Sequence, residues 1–170
     1  MPGFINAQRW VGADDPLVSI ATYDLESLDV LKTPAYTAIA GANLSPWSRR
    51  VIGMVERICR FEAEQLFPGQ LAAPADAAGM MMFAMNVAPE AEADFNAWYD
   101  QEHVPRLAAV PGCLTARRFR THGGTHKYVA IYHLESPAVC SSREEWMGQV
   151  GFVMKGGVVY KRDGAEVVPR

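Results

Sequence analysis

Signals that point directly to a chemistry are few in this sequence of 170 residues. It has three cysteines, Cys59, Cys113 and Cys140, and they show no C-x-x-C spacing, which favours free thiols over a disulfide framework or a zinc site. It has no Gly-rich phosphate loop, no G-x-S-x-G motif and no H-E-x-x-H motif. His122 and His126 bracket a turn without a third ligand, so we predict no metal site. These absences argue against phosphoryl, hydride and zinc chemistry.

Basic charge and long apolar runs are also scarce. The formal net charge is −3 and the arginines are scattered, so no nucleic-acid partner is expected. The longest apolar stretch, residues 77–88, is too short to cross a bilayer and is typical of a buried strand. The N-terminus lacks the basic and apolar regions of a signal peptide. We therefore expect a cytoplasmic protein with no membrane partner.

What the sequence does contain is an internal repeat. Residues 2–27 align without a gap on residues 111–136, and nine of the 26 aligned pairs are identical, where average composition gives roughly two. Both segments begin with Pro-Gly, continue as two strand patterns around a polar turn and end with Leu-Glu-Ser. The shared register favours duplication over the convergence of two unrelated hairpins.

The second half of the chain predicts a complete folding unit. Strand patterns at 79–87, 113–120 and 127–134 accompany a helix that begins at Pro89 and runs to about His103, where the following Pro should end it. A second helix is expected from near residue 137 over 141–150, and a last strand or hairpin within 156–168. The order β-α-β-β-α-β is that of the ferredoxin-like fold, which belongs to the α+β class.

The first half predicts only the later part of such a unit. We assign residues 1–67 to a partial repeat without the first strand and helix, residues 68–79 to a linker and residues 80–170 to the fuller repeat. Because the first strand of a ferredoxin-like unit is central in its sheet, the partial repeat should leave a gap. The C-terminal residues 156–170, a strand of a second subunit or a rearranged sheet could fill it. We expect an obligate homodimer.

Residues 95–112, FNAWYDQEHVPRLAAVPG, and the strands after them resemble the EthD-like branch of the dimeric α+β barrel superfamily. Such proteins often carry an aromatic-Tyr-x-x-x-His-x-Pro helix, then Pro-Gly and a strand with an arginine. The resemblance covers residues 80–150 well and residues 2–67 as a partial second module. It implies two ferredoxin-like sheets packed as a barrel, with ligands inside it or between a sheet and its helices. Superfamily activities include cyclases, dehydratases, isomerases, cofactor-free oxygenases and some haem enzymes.

His103 is the leading candidate for a catalytic residue. At a helix end the unpaired carbonyls favour the protonated imidazole while burial favours the neutral form, and an imidazole balanced near neutrality can take and return a proton. The alternative is a helix C-cap that binds the last carbonyls. Tyr99, one turn earlier, could orient His103 or donate a proton, or it could anchor the helix on the sheet. With the resemblance, we assign His103 and Tyr99 as catalytic.

Five further residues are candidates for binding the substrate. Strand 127–134 alternates, so Tyr132 and His133 lie on opposite faces, one of which should line the barrel. Glu102 should pair with Arg106 one turn on, or with an arginine of the next strand. The five candidates are Asn86, Glu102, Arg118, Tyr132 and His133.

The leading hypothesis is a cofactor-independent enzyme for a hydrophobic small molecule that is aromatic or bears a carbonyl group. It would catalyse dehydration, cyclisation or isomerisation, with His103 as acid or base. The alternatives are a non-catalytic carrier of a similar ligand, a haem-dependent lyase or oxygenase with a histidine ligand, and a structural assembly protein.

Overall fold

The computed structural model describes residues 1–56, 59–140 and 158–162. Its strands are β1 (Phe4–Gly12), β2 (Ser19–Leu25), β3 (Ala63–Phe67), β4 (Gly79–Met85), β5 (Cys113–Thr121), β6 (Tyr128–Leu134) and β7 (Val158–Arg162). Its α-helices are α1 (Pro34–Thr37), α2 (Pro46–Ile52), α3 (Glu92–Trp98) and α4 (Val104–Ala108). Short 3-10 helices lie at Leu28–Lys32, Gly41–Asn43, Pro89–Ala91 and Pro137–Cys140. No helix in these ranges is long and apolar enough to cross a membrane.

The strands form one antiparallel sheet in the order β2-β1-β7-β4-β6-β5-β3, which confirms the predicted α+β class. Strands β4 to β7 are the ferredoxin-like unit of the second half, and its first strand, β4, is central between β6 and β7. The predicted C-terminal strand is confirmed in β7, whereas the helix predicted over 141–150 lies outside the described residues. β7 also pairs with β1, and β3 pairs with β5, so one sheet joins both halves of the chain.

The two hairpins predicted from the repeat are both present, and their strands pair in the same register. The aligned residues form equivalent cross-strand pairs: Ala7–Tyr23 and Arg9–Ala21 in the first hairpin, Ala116–Tyr132 and Arg118–Ala130 in the second. Each hairpin interrupts its register at the same place, after Phe4 in one and after Cys113 in the other. The expectation of two matching hairpins is confirmed, while their origin by duplication stays a prediction.

The Pro-Gly that opens each repeat has a structural reason. Gly3 and Gly112 have positive φ angles of +80° and +84°, a region that favours glycine. A Cβ on Gly112 would lie 2.6 Å from Cγ2 of Val139, and a Cβ on Gly3 would collide in the same way with Val30. Val30 follows Gly3 by the same number of residues as Val139 follows Gly112. The equivalence of the two hairpins therefore continues into the helical turns that follow them.

The sheet has two apolar faces. The helix face packs against α3 and α4, and its buried core consists of Met81, Tyr99, Val104, Leu107, Val110, Ala116, Ala130, Tyr132 and Leu134. The inner face carries a second core of Trp10, Ala77, Met80, Val129 and Ile131. β6 alternates between the faces as predicted, with Tyr132 toward the helices and His133 against Trp10 of the inner face.

Residues 71–77 lie against the inner face without helix or strand, and we call them the strap. Their backbone is held by hydrogen bonds of 2.7–3.0 Å: Asn6 and Gln8 donate from β1, Arg117 donates from β5, and the carboxylate of Asp24 in β2 accepts. Asp24 also pairs with the buried Arg117 at 2.7 Å. β2 is the strand at one edge of the sheet, and β5 is next to β3, the strand at the other edge. The contacts of the strap with β2 and β5 therefore connect the two edges, between which the predicted gap lies. The C-terminal strand β7 lies elsewhere, between β1 and β4.

The helix of the second unit is longer than predicted. α3, a π-helical turn at Tyr99–His103 and α4 follow one another directly, and we call residues 92–108 the long helix. In the π turn the N–H of Val104 donates to the carbonyl of Tyr99, five residues back. Pro105 lacks an N–H and its ring would collide with a carbonyl in a regular α-helix, but the wider turn lets the helix restart with Pro105 in its first turn. The prediction that Pro105 ends the helix is wrong.

Candidate active site

His103 is buried at the end of the π turn, with 2% of its surface exposed. The centroid of its imidazole lies 4.6 Å from that of Trp98 and 4.6 Å from that of Tyr99. Neither Nδ1 nor Nε2 has a hydrogen-bond partner in the part of the chain that the structure describes. The alternative role of a helix C-cap is therefore wrong, because the helix continues and the imidazole binds no carbonyl.

The charge state of His103 follows from its burial. Desolvation lowers the pKa of His103 from 6.5 to about 4. We predicted a balance between burial and the carbonyls of a helix end, but α4 prolongs the helix beyond His103. The imidazole is consequently neutral at pH 7, with one nitrogen that can donate a hydrogen bond and one that can accept a proton.

Tyr99 and Tyr132 are a second polar feature of the helix face. Both side chains are fully buried, and their hydroxyl groups interact with each other. Burial raises the pKa of Tyr99 to about 12 and the pKa of Tyr132 well above its usual value of 10.0. Both phenols are therefore protonated at neutral pH and can serve as hydrogen-bond donors. Tyr99 contacts His103 through its ring and does not hydrogen-bond to the imidazole.

Arg118 is buried on the helix face of β5, and the long helix fixes its guanidinium. Arg118 donates to the carboxylate of Asp100 at 2.8 Å and to the side-chain oxygen of Asn96. The guanidinium also lies over the ring of Tyr99, 4.7 Å from the centroid. Its Nε–H has no partner among the described residues, so one donor of a buried cation is left for a ligand.

Four of the predicted site residues thus lie in one layer, between the long helix and the sheet: Tyr99, His103, Arg118 and Tyr132. His133 does not join them. It lies on the inner face, where its Nδ1 is 3.2 Å from the hydroxyl of Thr115 and its ring centroid is 5.8 Å from that of Trp10. The alternation of β6 separates His133 from its neighbour in sequence, Tyr132.

Asn86 and Glu102 also lie apart from this layer. Asn86 is exposed, and its side chain donates to the carbonyl of Thr125 at 2.8 Å and accepts from the N–H of Lys127 at 2.9 Å. It holds the turn of the second hairpin. Glu102 is exposed and pairs with Arg106 at 3.4 Å, which is the i+4 pairing that the sequence predicted.

Sequence reasoning missed the two residues that hold the guanidinium of Arg118. Asn96 and Asp100 are four residues apart and therefore lie on one side of the long helix. This spacing on a helix that packs beside a strand with an arginine was the sequence signal that could have predicted their contact with Arg118. Trp98 also packs directly against the imidazole.

The groups of this layer are suited to proton transfer. The described residues contain no group of three His, Cys, Asp or Glu side chains placed to hold a metal ion. A neutral buried imidazole can accept a proton, while protonated phenols and a buried guanidinium can stabilise a negative oxygen. Together they suit the removal of a proton next to a carbonyl group.

Comparison with known proteins identifies the fold. No family model matches the chain, and no curated protein matches its sequence. One solved structure with the same fold, described as an anthrone oxidase-like protein, is 15% identical with a TM-score of 0.61. Another, a proposed monooxygenase from Lactobacillus acidophilus NCFM, is 10% identical with a TM-score of 0.58. Each alignment covers 95% of this chain and 77% of the other, and at these identities it shows that the chain shares their fold.

Proposed function

We propose that this protein is an enzyme that removes a proton from a hydrophobic small molecule, aromatic or carbonyl-bearing, with His103 as the base. One observation carries the proposal: the imidazole is buried, and neither nitrogen has a hydrogen-bond partner in the described residues. Buried polar groups in cores are normally hydrogen-bonded. Each one left without a partner costs about 1–3 kcal/mol, and a substrate bound to the imidazole would offset that cost.

The helix face supports a substrate site better than the inner face does. On the inner face the strap already occupies Asn6, Gln8, Asp24 and Arg117. The helix face combines an available base with phenolic donors in apolar surroundings. A hydrophobic substrate would be bound there by apolar contacts and oriented by a few polar groups.

The reaction would begin with the transfer of a proton to His103 from a carbon that is conjugated with a carbonyl group, either next to it or through an aromatic ring. The electrons of the C–H bond move to the carbonyl oxygen and form an enolate. Tyr99, Tyr132 and the Nε–H of Arg118 are the donors available to that oxygen. A base with a low pKa is sufficient, because the imidazolium and the enolate form in the same step. Their electrostatic attraction, in a layer without water, offsets the desolvation that lowers the pKa of His103.

The fate of the enolate defines the reaction class. Dehydration, cyclisation and isomerisation all proceed from it, and so does oxidation by dioxygen. The neighbours described as anthrone oxidase-like and as a proposed monooxygenase favour oxidation of an aromatic ketone. Membership of the EthD-like branch and assembly as a homodimer are further parts of this proposal, and the family resemblance supports both.

Deuterium exchange tests the first step whatever the fate of the enolate. Anthrone, an aromatic ketone, is incubated with the protein in D2O under nitrogen, and loss of its CH2 signal is followed by proton NMR. The protein should accelerate exchange by about 100-fold or more, and His103→Gln should abolish the acceleration. Dioxygen uptake, measured with an oxygen electrode, then tests oxidation.

The matched control is His122→Gln, which makes the same change at an exposed imidazole. It should leave exchange unchanged. If a panel of aromatic and aliphatic ketones binds, as judged by tryptophan fluorescence, but none exchanges or is consumed, the protein is a carrier and the enzyme proposal fails.

A further inference from the structure

The guanidinium of Arg118 carries one positive charge, and one carboxylate of the long helix already balances it. Asp100 accepts a hydrogen bond from Arg118 at 2.8 Å, and 1% of the Arg118 side chain is exposed. Asn96 accepts from the same guanidinium as a neutral partner. The rings of Phe95 and Tyr99 lie against it, with centroids at 5.2 and 4.7 Å. Arg118 and Asp100 therefore form a pair without net charge in largely apolar surroundings.

The other charged side chains near this pair, among the described residues, lie at the rim of the layer and balance each other. Lys127 donates to the carboxylate of Glu92 at 2.7 Å. Arg120, which also acts on Glu92, is exposed, and water screens its charge. The buried imidazole and the two buried phenols of the site are uncharged at neutral pH. The candidate site is thus close to neutral before a ligand enters.

This neutrality decides which ligands the layer can hold. A buried ion is costly unless it has a partner of opposite charge. A ligand carboxylate at the Nε–H of Arg118 would share one guanidinium with Asp100, and two carboxylates on one cation leave a negative charge unbalanced. A neutral carbonyl oxygen accepts the same hydrogen bond without adding a charge. Transfer of a proton from such a ligand to His103 also keeps the total charge at zero.

We propose that Asp100 determines specificity: by balancing the charge of Arg118, it makes the site prefer aromatic ketones that enter uncharged over aromatic acids of the same shape. The inference rests on the proposed function for the location of the site, but it concerns which ligands bind and not how they react. Asp100 acts through Arg118. Because 37% of its side chain is exposed, water screens part of its charge, so we expect discrimination of about tenfold and not complete exclusion.

Two fluorescent probes of the same shape test this inference. Anthracene carboxamide is neutral, whereas anthracene carboxylate is charged at neutral pH. Fluorescence anisotropy gives their dissociation constants, and circular dichroism verifies that each variant is folded. The wild type should bind the carboxamide about tenfold more tightly than the carboxylate. Asp100→Asn keeps the shape and an acceptor for Arg118 but leaves the guanidinium unbalanced. It should bind the carboxylate about tenfold more tightly than the wild type does. A variant with only a damaged structure would lose affinity for both probes.

Two further variants separate charge from other effects. Asp94→Asn makes the same change at an exposed carboxylate of the long helix and should keep the wild-type preference. Asp100→Asn combined with Arg118→Met removes both charges of the pair. It should restore the preference for the carboxamide, because no unbalanced cation is then left for the carboxylate.

Equal affinity of the wild type for the two probes would overturn the inference, and so would an Asp100→Asn variant that gains no affinity for the carboxylate. The proposed function survives either result if the wild type accelerates deuterium exchange of anthrone. The expected preference and its reversal, without any exchange, would overturn the proposed proton transfer but support the role of Asp100. If neither probe binds the wild type, both proposals fail.

Discussion

Acid should destabilise this protein through His103 in a defined pH window. The pKa of the imidazole is 6.5 when it is exposed in the unfolded chain and about 4 in the folded protein, because burial disfavours the charged form. Between these values the unfolded chain binds a proton that the folded protein does not. The stability associated with the neutral imidazole is therefore complete above pH 6.5 and is lost as the pH falls toward 4. The difference corresponds to about 3 kcal/mol, a large part of the stability of a typical domain.

The comparison that isolates this effect is between the wild type and His103→Leu. Urea unfolding, followed by tryptophan fluorescence at several pH values from 4 to 7.5, gives the free energy of unfolding of each. Titrating carboxylates are common to both proteins, so the difference between the two curves reports the imidazole. We expect the wild type to lose about 3 kcal/mol more than His103→Leu over this range.

NMR of the imidazole C2–H provides an independent value for the pKa. The His103 resonance should titrate near 4 in the folded protein. A midpoint near 6.5, or parallel stability curves for the wild type and His103→Leu, would refute the argument that the ring is desolvated.

Three further predictions concern how the chain closes its own sheet. Asp24→Asn should lower the free energy of unfolding, measured with urea, by about 3–5 kcal/mol, because Arg117 then stays buried without its carboxylate. The double variant Asp24→Asn with Arg117→Met should recover part of the lost stability, because the buried charge is then removed as well. Gly3→Ala and Gly112→Ala should each cost about 1–3 kcal/mol in the same assay, since both add a Cβ at positive φ against a valine. Light scattering across a dilution series should show the homodimer. A stable monomer at low micromolar concentration would show instead that one chain fills the predicted gap by itself.

The strands were predictable because local sequence determines them. Alternating side chains in β5 and β6 revealed the strands, and the same alternation separated Tyr132 from His133 before any coordinates. The Pro-Gly that opens each repeat in the sequence coincides with positive φ angles at Gly3 and Gly112, a region that favours glycine. What alternation could not determine was which face carries the site, because both faces of the sheet are apolar.

The course of the long helix was not predictable from local rules. A proline usually ends a helix, and that rule placed His103 at a helix end, where free carbonyls would balance the effect of burial on its pKa. The π turn removes the conflict between Pro105 and the preceding turn, so the helix continues and His103 is buried instead. The strap was missed for a related reason: its backbone is held by side chains from three strands, a tertiary arrangement that leaves no local pattern.

The repeat also bears on where the proposed site lies. Both hairpins carry the arginine and the tyrosine, but the proposed base, His103, lies on the long helix, which covers the second hairpin. Tyr23 and Tyr132 are therefore equivalent positions of the two hairpins, and of the two, Tyr132 lies in the same layer as His103. Tyr132→Phe should slow deuterium exchange of the ketone about tenfold or more by removing a donor to the enolate, and Tyr23→Phe should leave it unchanged. Equal effects of the two substitutions would mean that the hydroxyl of Tyr132 does not act at the reacting centre.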